Sequence, residues 1–396
     1  MPLSPESTQK VWLIDDIVPE VLLFLHKEKT TLSACTLVCR SWVHPASQHL
    51  FRRICFRPGR PPETTNAISS TTTFEELLEF LETCGRARSA LRKLSLCSRA
   101  HAAGDILGKD NEHLLDVFAL FADVQRLVHK RMLPIPVTSS NSTLWRDPEI
   151  DRRLADMPKL SIASLSLDTY TGQDPPRGSS TLPFIFLDVF RSVADPAVLR
   201  KIEHVSLFKQ MDLILLDMFM RDIVSSVEEV NLRISSTSVD TGFLRPFHGH
   251  HTSLPVLKTC PKLAKVSLYV DLWPWQGSDG SHVGNLRTFV AALSVAESAC
   301  AAPALRELEL VLLLRHNALS VPLATMTPRN VVARVRELPW ERLGELLPAR
   351  TRTLERVCVR LDKNVPPYRA PWLGDQVKEV LNGRLPSRVA ELICYH

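Results

Sequence analysis

One spacing of apolar positions returns along most of the chain: an apolar residue, two others, an apolar residue, one other, an apolar residue. It occurs at Leu91/Leu94/Leu96, Ile162/Leu165/Leu167, Ile202/Val205/Leu207, Val227/Val230/Leu232 and Leu263/Val266/Leu268. It returns at Leu305/Leu308/Leu310, Leu354/Val357/Val359 and Val389/Leu392/Cys394, with a weaker copy at Val124/Leu127 where His129 holds the last place. The last two apolar positions of each copy are two apart, so they share one face of a short strand. Helix-periodic stretches lie between the copies, at Phe74–Cys84, Glu112–Ala122, Leu182–Val193, Asp212–Ser225, Leu286–Ala299, Trp340–Leu347 and Asp375–Leu381. This alternation predicts an α/β fold of stacked units on a parallel sheet, in which neighbours bury the apolar face that no single unit can bury. Copies start 25 to 49 residues apart, so the units are long and uneven. The competing reading is a non-repetitive α/β domain whose strands look alike only because amphipathic strands do.

The pattern differs between Leu13 and Phe56. From Ile17 to Leu25 only Pro19 and Glu20 are not apolar. A helix apolar nearly all round has to be covered on more than one side. Asp15 or Asp16 can cap its start. A second helix is expected from Thr30 or Thr31, with Leu32, Cys35, Val38, Cys39 and Trp42 at helical spacing, and it should end before Pro45. A third, shorter turn carries Leu50, Phe51 and Ile54. So small a unit has more large apolar residues than its own interior can use, which argues for a docking surface.

The order of residues in this stretch resembles an F-box: Leu13, Asp15 and Asp16 opening a helix, then Ile17, Val21, Leu22 and Leu25, then Leu32, Cys35, Val38-Cys39-Arg40-Ser41-Trp42 and Leu50-Phe51. Ile14 stands where an F-box usually has proline. The resemblance implies binding to a Skp-type adaptor, and through it to a cullin in an SCF ubiquitin ligase. Leu13, Ile17, Val21, Leu22, Leu25, Leu32, Val38 and Trp42 would form the adaptor interface or the packing behind it. The later region resembles an irregular leucine-rich-repeat array, without the asparagine usual after the strand. The implied organisation is a lead at residues 1–12, an all-α F-box-like domain at 13–56, a Pro/Ser/Thr-rich linker at 57–73, and an α/β solenoid with a parallel sheet at 74–396 that holds a protein substrate of unknown identity.

In such an array the residues between the apolar ones face a partner. They are Lys93/Ser95, Ser164/Ser166, His204/Ser206, Glu229/Asn231, Lys265/Ser267, Glu307/Glu309 and Arg356/Cys358. Their signs are mixed, whereas a nucleic-acid groove should be mostly positive. The net charge of +5 over 396 residues is small, so a protein partner is expected rather than nucleic acid. Arginines gather at Arg52, Arg53, Arg57 and Arg60 and at Arg350, Arg352, Arg356 and Arg360. Such clusters receive acidic or phosphorylated segments or form plain solvated faces.

Nine cysteines, none in a Cys-x-x-Cys pair, suggest reduced thiols and a cytoplasmic or nuclear location. Residues 1–10 carry no apolar signal core, and the longest apolar runs are too short to span a membrane. No phosphate-cradling glycine loop, His-Glu-x-x-His or Gly-x-Ser-x-Gly occurs. Phe247-His248-Gly249-His250-His251 lacks cysteine or carboxylate neighbours to complete a metal site. The expectation is therefore a protein without catalysis and without a cofactor, either an SCF substrate adaptor or an F-box scaffold outside the ligase.

Overall fold

The computed structural model describes residues 18, 20–25, 28–38, 40–56, 74–98, 126–131, 152, 155–156, 159–169, 190–192, 194–207, 210–234, 253–272, 280–314, 328–350, 353–361, 371–385 and 393–395. The chain divides into two compact units. One comprises Met1–Met132, Ser142–Ile162 and Val193–Asp195; the other comprises Leu133–Asn141, Ala163–Ser192 and Pro196–His396.

The first unit opens with a short helix α1 (residues 18 and 20–24). It closes where Leu25 N donates to Val21 O and Glu28 N to Leu25 O. Helix α2 spans Lys29–Val38 and α3 spans Arg40–Phe51. α2 ends at Val38, earlier than the helix through Trp42 that the sequence predicts, and Pro45, expected to lie beyond a helix end, lies inside α3. Proline there removes one backbone hydrogen bond, but Ala46, Ser47 and Leu50 beyond it are buried, and that burial holds the helix together. Val18, Leu22, Leu32, Cys35, Ala46 and Leu50 form the core of the three helices, with Leu25, Trp42 and Phe51 packed on its edge.

Ile54 belongs to no third helical turn. It sits in strand β1 (Arg53–Phe56), 1% exposed. Helices α4 (Phe74–Thr83) and α5 (Gly85–Ala90) lead to β2 (Lys93–Ser98), and β3 spans Arg126–Arg131. β1 pairs in parallel with β2 (Ile54↔Leu94), and β2 with β3 (Leu94↔Leu127). The Phe51 ring meets that of Phe80 at 5.9 Å. The helices of residues 13–56 thus share one compact unit with the first strands of the sheet. The linker expected at 57–73 and the helix expected at Glu112–Ala122 lie outside the described residues.

The second unit carries β4 (Ser164–Thr169), β5 (Lys201–Leu207), β6 (Glu229–Ile234), β7 (Lys265–Leu272), β8 (Glu307–Leu314), β9 (Arg356–Leu361) and β10 (Ile393–Tyr395). Each pairs in parallel with the next. Between them come α6 (Gln210–Arg221), a 3-10 turn at Pro255–Thr259, α7 (Gly280–Cys300), α8 (Pro328–Glu337), α9 (Trp340–Arg350) and α10 (Pro371–Arg384). α7 begins at Gly280, before the Leu286 start that the helical period predicts.

The backbone marks these units as repeats. At each entry to β5–β9, two successive N–H groups donate to one carbonyl at the foot of the strand before: Arg200 and Lys201 to Ala163, Glu228 and Glu229 to Arg200, Ala264 and Lys265 to Glu228. Arg306 and Glu307 donate to Ala264, and Glu355 and Arg356 to Arg306. Arg92 and Lys93 do the same to Arg52 in the first unit. In the second unit the shared carbonyls stand at 163, 200, 228, 264 and 306, so unit length varies while strand entry stays constant.

Two registers differ from the sequence pattern. Ile202 pairs with both Leu165 and Val230, so it fills the second apolar place of its copy, and buried Leu199 fills the first. The pairing then shifts between Ile202 and Val205, a bulge that makes room for one extra residue. In β10, Ile393 and Tyr395 pair with Val357 and Val359. The expected Leu392/Cys394 is therefore one residue out, a slip that exchanges the two faces of a strand.

The core lies on the apolar face. α7 is buried on more than one side, and its Ala291, Ala292, Ala296 and Ala299 allow close approach. Phe289 on α7 meets Trp340 edge-on at 4.8 Å, and the Trp340 Nε1–H donates to Val335 O at 2.7 Å. Cys260 is fully buried, and burial pushes its thiol up to about 11. It stays protonated as a packing residue.

Candidate functional site

The described residues present two surfaces, one in each unit. The first is on the helical unit. Leu22 and Leu32 are wholly buried, and Leu25 and Trp42 are half-buried against the same core. These four expected contact residues therefore act as the packing behind any interface. Val21 and Val38 point outward. Leu13 and Ile17 lie outside the described residues. Three exposed residues that the sequence reading passed over join them: Leu23, Phe24 (84% exposed) and Leu37 (85% exposed). The signal was available. One residue advances a helix by 100°, so Phe24 stands about 200° from Leu22, and Leu37 about 200° from Cys35. With Leu22 and Cys35 in the core, both must face away from it.

The second surface is the polar face of β4–β9. Registers align its residues in rows across the strands. One row runs Ser164, Lys201, Glu229, Lys265, Glu307, Arg356; the next joins Ser166 to Glu203 and, past the bulge in β5, runs Asn231, Ser267, Glu309, Cys358. A third holds Arg233, Tyr269, Val311 and Arg360. The bulge places Lys201 and Glu203 where His204 and Ser206 were expected.

Charges alternate along the first row and pair with each other. Lys201 Nζ lies 2.8 Å from Glu229 and 3.2 Å from Glu203. Lys265 Nζ lies 3.1 Å from Glu307, and Glu309 takes Ser267 Oγ at 2.9 Å and Arg360 at 3.1 Å. Arg233 grips Asp271 through Nε and Nη2, at 3.0 and 2.8 Å. Burial raises the Tyr269 phenol above its ordinary range, with Glu309 adding to the effect. Among the described residues no group of three or more His, Cys, Asp or Glu could hold a metal.

The Lys201–Glu229 pair gives a pH prediction. Burial alone would raise Glu229, but hydrogen bonds from Lys201 and Asn231 outweigh it, and the carboxyl lies below its ordinary 4.5. Burial likewise works against Lys201, yet Glu229 and Glu203 lift it above 10.5. Glu229 therefore contributes stability above its unfolded value that is lost as pH falls through the lowered folded one. The Lys201 contribution is full below its unfolded value and lost as pH rises through the raised one. Lys201→Met should cost about 1 kcal/mol near neutrality, and its Tm deficit should close in acid. A deficit that stays constant as Glu229 titrates would mean the pair does not act as described.

The fold defines a leucine-rich-repeat-like α/β array: sequential parallel strands, one apolar motif per strand, and one constant mode of strand entry. No family model matches the chain, and no curated protein matches it. Among solved structures, the leucine-rich repeat-containing protein LegL7 from Legionella pneumophila matches at 12% identity and a TM-score of 0.33, covering 85% of this chain and 98% of that one.

Proposed function

We propose that this chain is a non-catalytic, substrate-recognition adaptor of an SCF-type cullin-RING ubiquitin ligase. The helical unit binds a Skp-type adaptor, and the polar face of the array holds a protein substrate. One observation supports this most: with Val18, Leu22, Leu32, Cys35, Ala46 and Leu50 packed in its core, the helical unit still exposes Phe24 and Leu37 almost fully, with Val21, Leu23 and Val38 beside them in sequence. Burying an exposed side chain of this size contributes about 1.5–3 kcal/mol, so a few of them supply most of a stable interface. The mechanism is proximity, with two binding surfaces on one chain raising the local concentration of substrate at the ligase.

The test is co-expression of the full chain with a Skp-type adaptor and a cullin. A complex containing all three on size-exclusion chromatography is the expected result. Recovery of the adaptor without cullin would favour a scaffold acting outside the ligase, and recovery of neither would refute the reading.

A further inference from the structure

The register of the last strand brings two cysteines together. In β10, Cys394 pairs with Cys358 of β9. Among the described registers this is the one place where two cysteines are partners; Cys55 pairs with Ser95, and Cys97 with Lys130. The sequence spacing Val389/Leu392/Cys394 would have put Cys394 on the core side of its strand. The one-residue slip in β10 moves it to the polar face, at the end of the row that runs Asn231, Ser267, Glu309, Cys358.

Residues in register on neighbouring parallel strands share a face of the sheet and lie about 4.8 Å apart. A disulfide needs Cα atoms about 4.4–6.8 Å apart, so the two backbones already meet that requirement. Cys358 carries a reduced thiol and is 3% exposed, which shields it from an oxidant in solution. Cys394 stands on a strand of three residues at the end of the sheet, and a short terminal strand opens more readily than strands paired on both sides. Cys394 is therefore the thiol that meets an oxidant first, and Cys358 the one that resolves it.

We propose that Cys358 and Cys394 form a reversible disulfide that clasps β10 to β9, with glutathione disulfide as the oxidant. The Cys394 thiol loses its proton and attacks one sulfur of glutathione disulfide. The S–S bond breaks, a mixed disulfide forms on Cys394, and one glutathione leaves as thiolate. The Cys358 thiol then loses its proton and attacks Cys394 Sγ, and the second glutathione leaves as thiolate while the protein disulfide forms. Each leaving thiolate takes up one of the two released protons. Two protein thiols are oxidised, and one glutathione disulfide is reduced to two thiols. Excess reduced glutathione runs the same steps backwards. The clasp closes the segment that contains α10 and limits how far it can open. It does not depend on what the two surfaces of the chain bind.

The test equilibrates the full chain in glutathione buffers of rising disulfide-to-thiol ratio, quenches with an alkylating reagent and maps the peptides by mass spectrometry. The expected product is a linked Cys358–Cys394 pair that forms as the ratio rises and reopens as it falls. In the oxidised chain the β10 amides should exchange at least about tenfold more slowly. Cys358→Ser should stop at the mixed disulfide, with glutathione retained on Cys394, and Cys394→Ser should leave Cys358 reduced throughout. Alkylation of both thiols in the most oxidising buffer, or a link from Cys394 to a different cysteine, would overturn the proposal. So would a link that forms only after urea has unfolded the chain.

Discussion

Phe24→Asp combined with Leu37→Asp should eliminate capture of a Skp-type adaptor while leaving the chain's thermal unfolding unchanged. Both side chains are more than four-fifths exposed, so a charge on either is solvated in the free protein and costs the fold almost nothing. In a complex the same carboxylates would be driven into an apolar interface and lose their water. Truncating one buried anchor costs about 2 kcal/mol or more. Losing two, with charges in their place, should weaken binding at least about a thousandfold. Leu22→Asp is the contrasting case. Leu22 is fully buried among Val18, Leu32, Cys35, Ala46 and Leu50, so the substitution should unfold the helical unit and abolish binding for that reason alone. Pull-down and circular dichroism on both variants separate the two effects. Retained adaptor binding by the folded Phe24→Asp/Leu37→Asp chain would end the docking model.

That contrast shows what the sequence could supply. A helix apolar on nearly every side announces that two things cover it, but not which residues meet the protein's own core. The core choice depends on where α2 and α3 lie, which is tertiary information. Once Leu22 and Cys35 are placed inside, the exposure of Phe24 and Leu37 follows from helical geometry.

The sheet was more legible, because a strand buried on one face must repeat its apolar residues two apart. Every copy of the motif found in the sequence falls on or beside a strand, β2 to β10. The strand that was missed, β1, carries the same spacing at Phe51/Ile54/Phe56; it was hidden because those residues also fit the end of a helical unit. The two register differences have local causes. At β5 a bulge spends an extra residue between Ile202 and Val205. At β10 both Leu392/Cys394 and Ile393/Tyr395 are apolar pairs, and composition cannot choose between them. Helix α8 was missed because four residues of Pro328–Glu337 are charged and its apolar ones are mainly β-branched valines, which are weak helix formers. Its Val332 and Val335 are buried all the same.

The polar face shows the same limit. Its residues were named correctly from alternation at most strands, yet their pairing was invisible, since it joins residues about forty positions apart. Arg233 and Asp271 are the sharpest example. Asp271 is 1% exposed, and Arg233 reaches it diagonally from the neighbouring strand. Arg233→Met should lower stability by about 3–5 kcal/mol, because it strips the guanidinium from a buried carboxylate. Asp271→Leu alone should cost less, because the stranded guanidinium, about a quarter exposed in the intact pair, can turn toward water. The double variant, Arg233→Met with Asp271→Leu, should recover most of the loss, since replacing a buried pair by apolar groups of similar volume is often close to neutral. Urea unfolding of the three variants gives the coupling energy directly. A loss below about 1 kcal/mol for Arg233→Met would show that the pair behaves as an ordinary surface ion pair and that Asp271 finds other support. A large loss with recovery in the double variant would mean the pair fixes the alignment of β6 and β7 at little net gain in stability. Its value to the protein would then lie in holding the rows of the polar face in register.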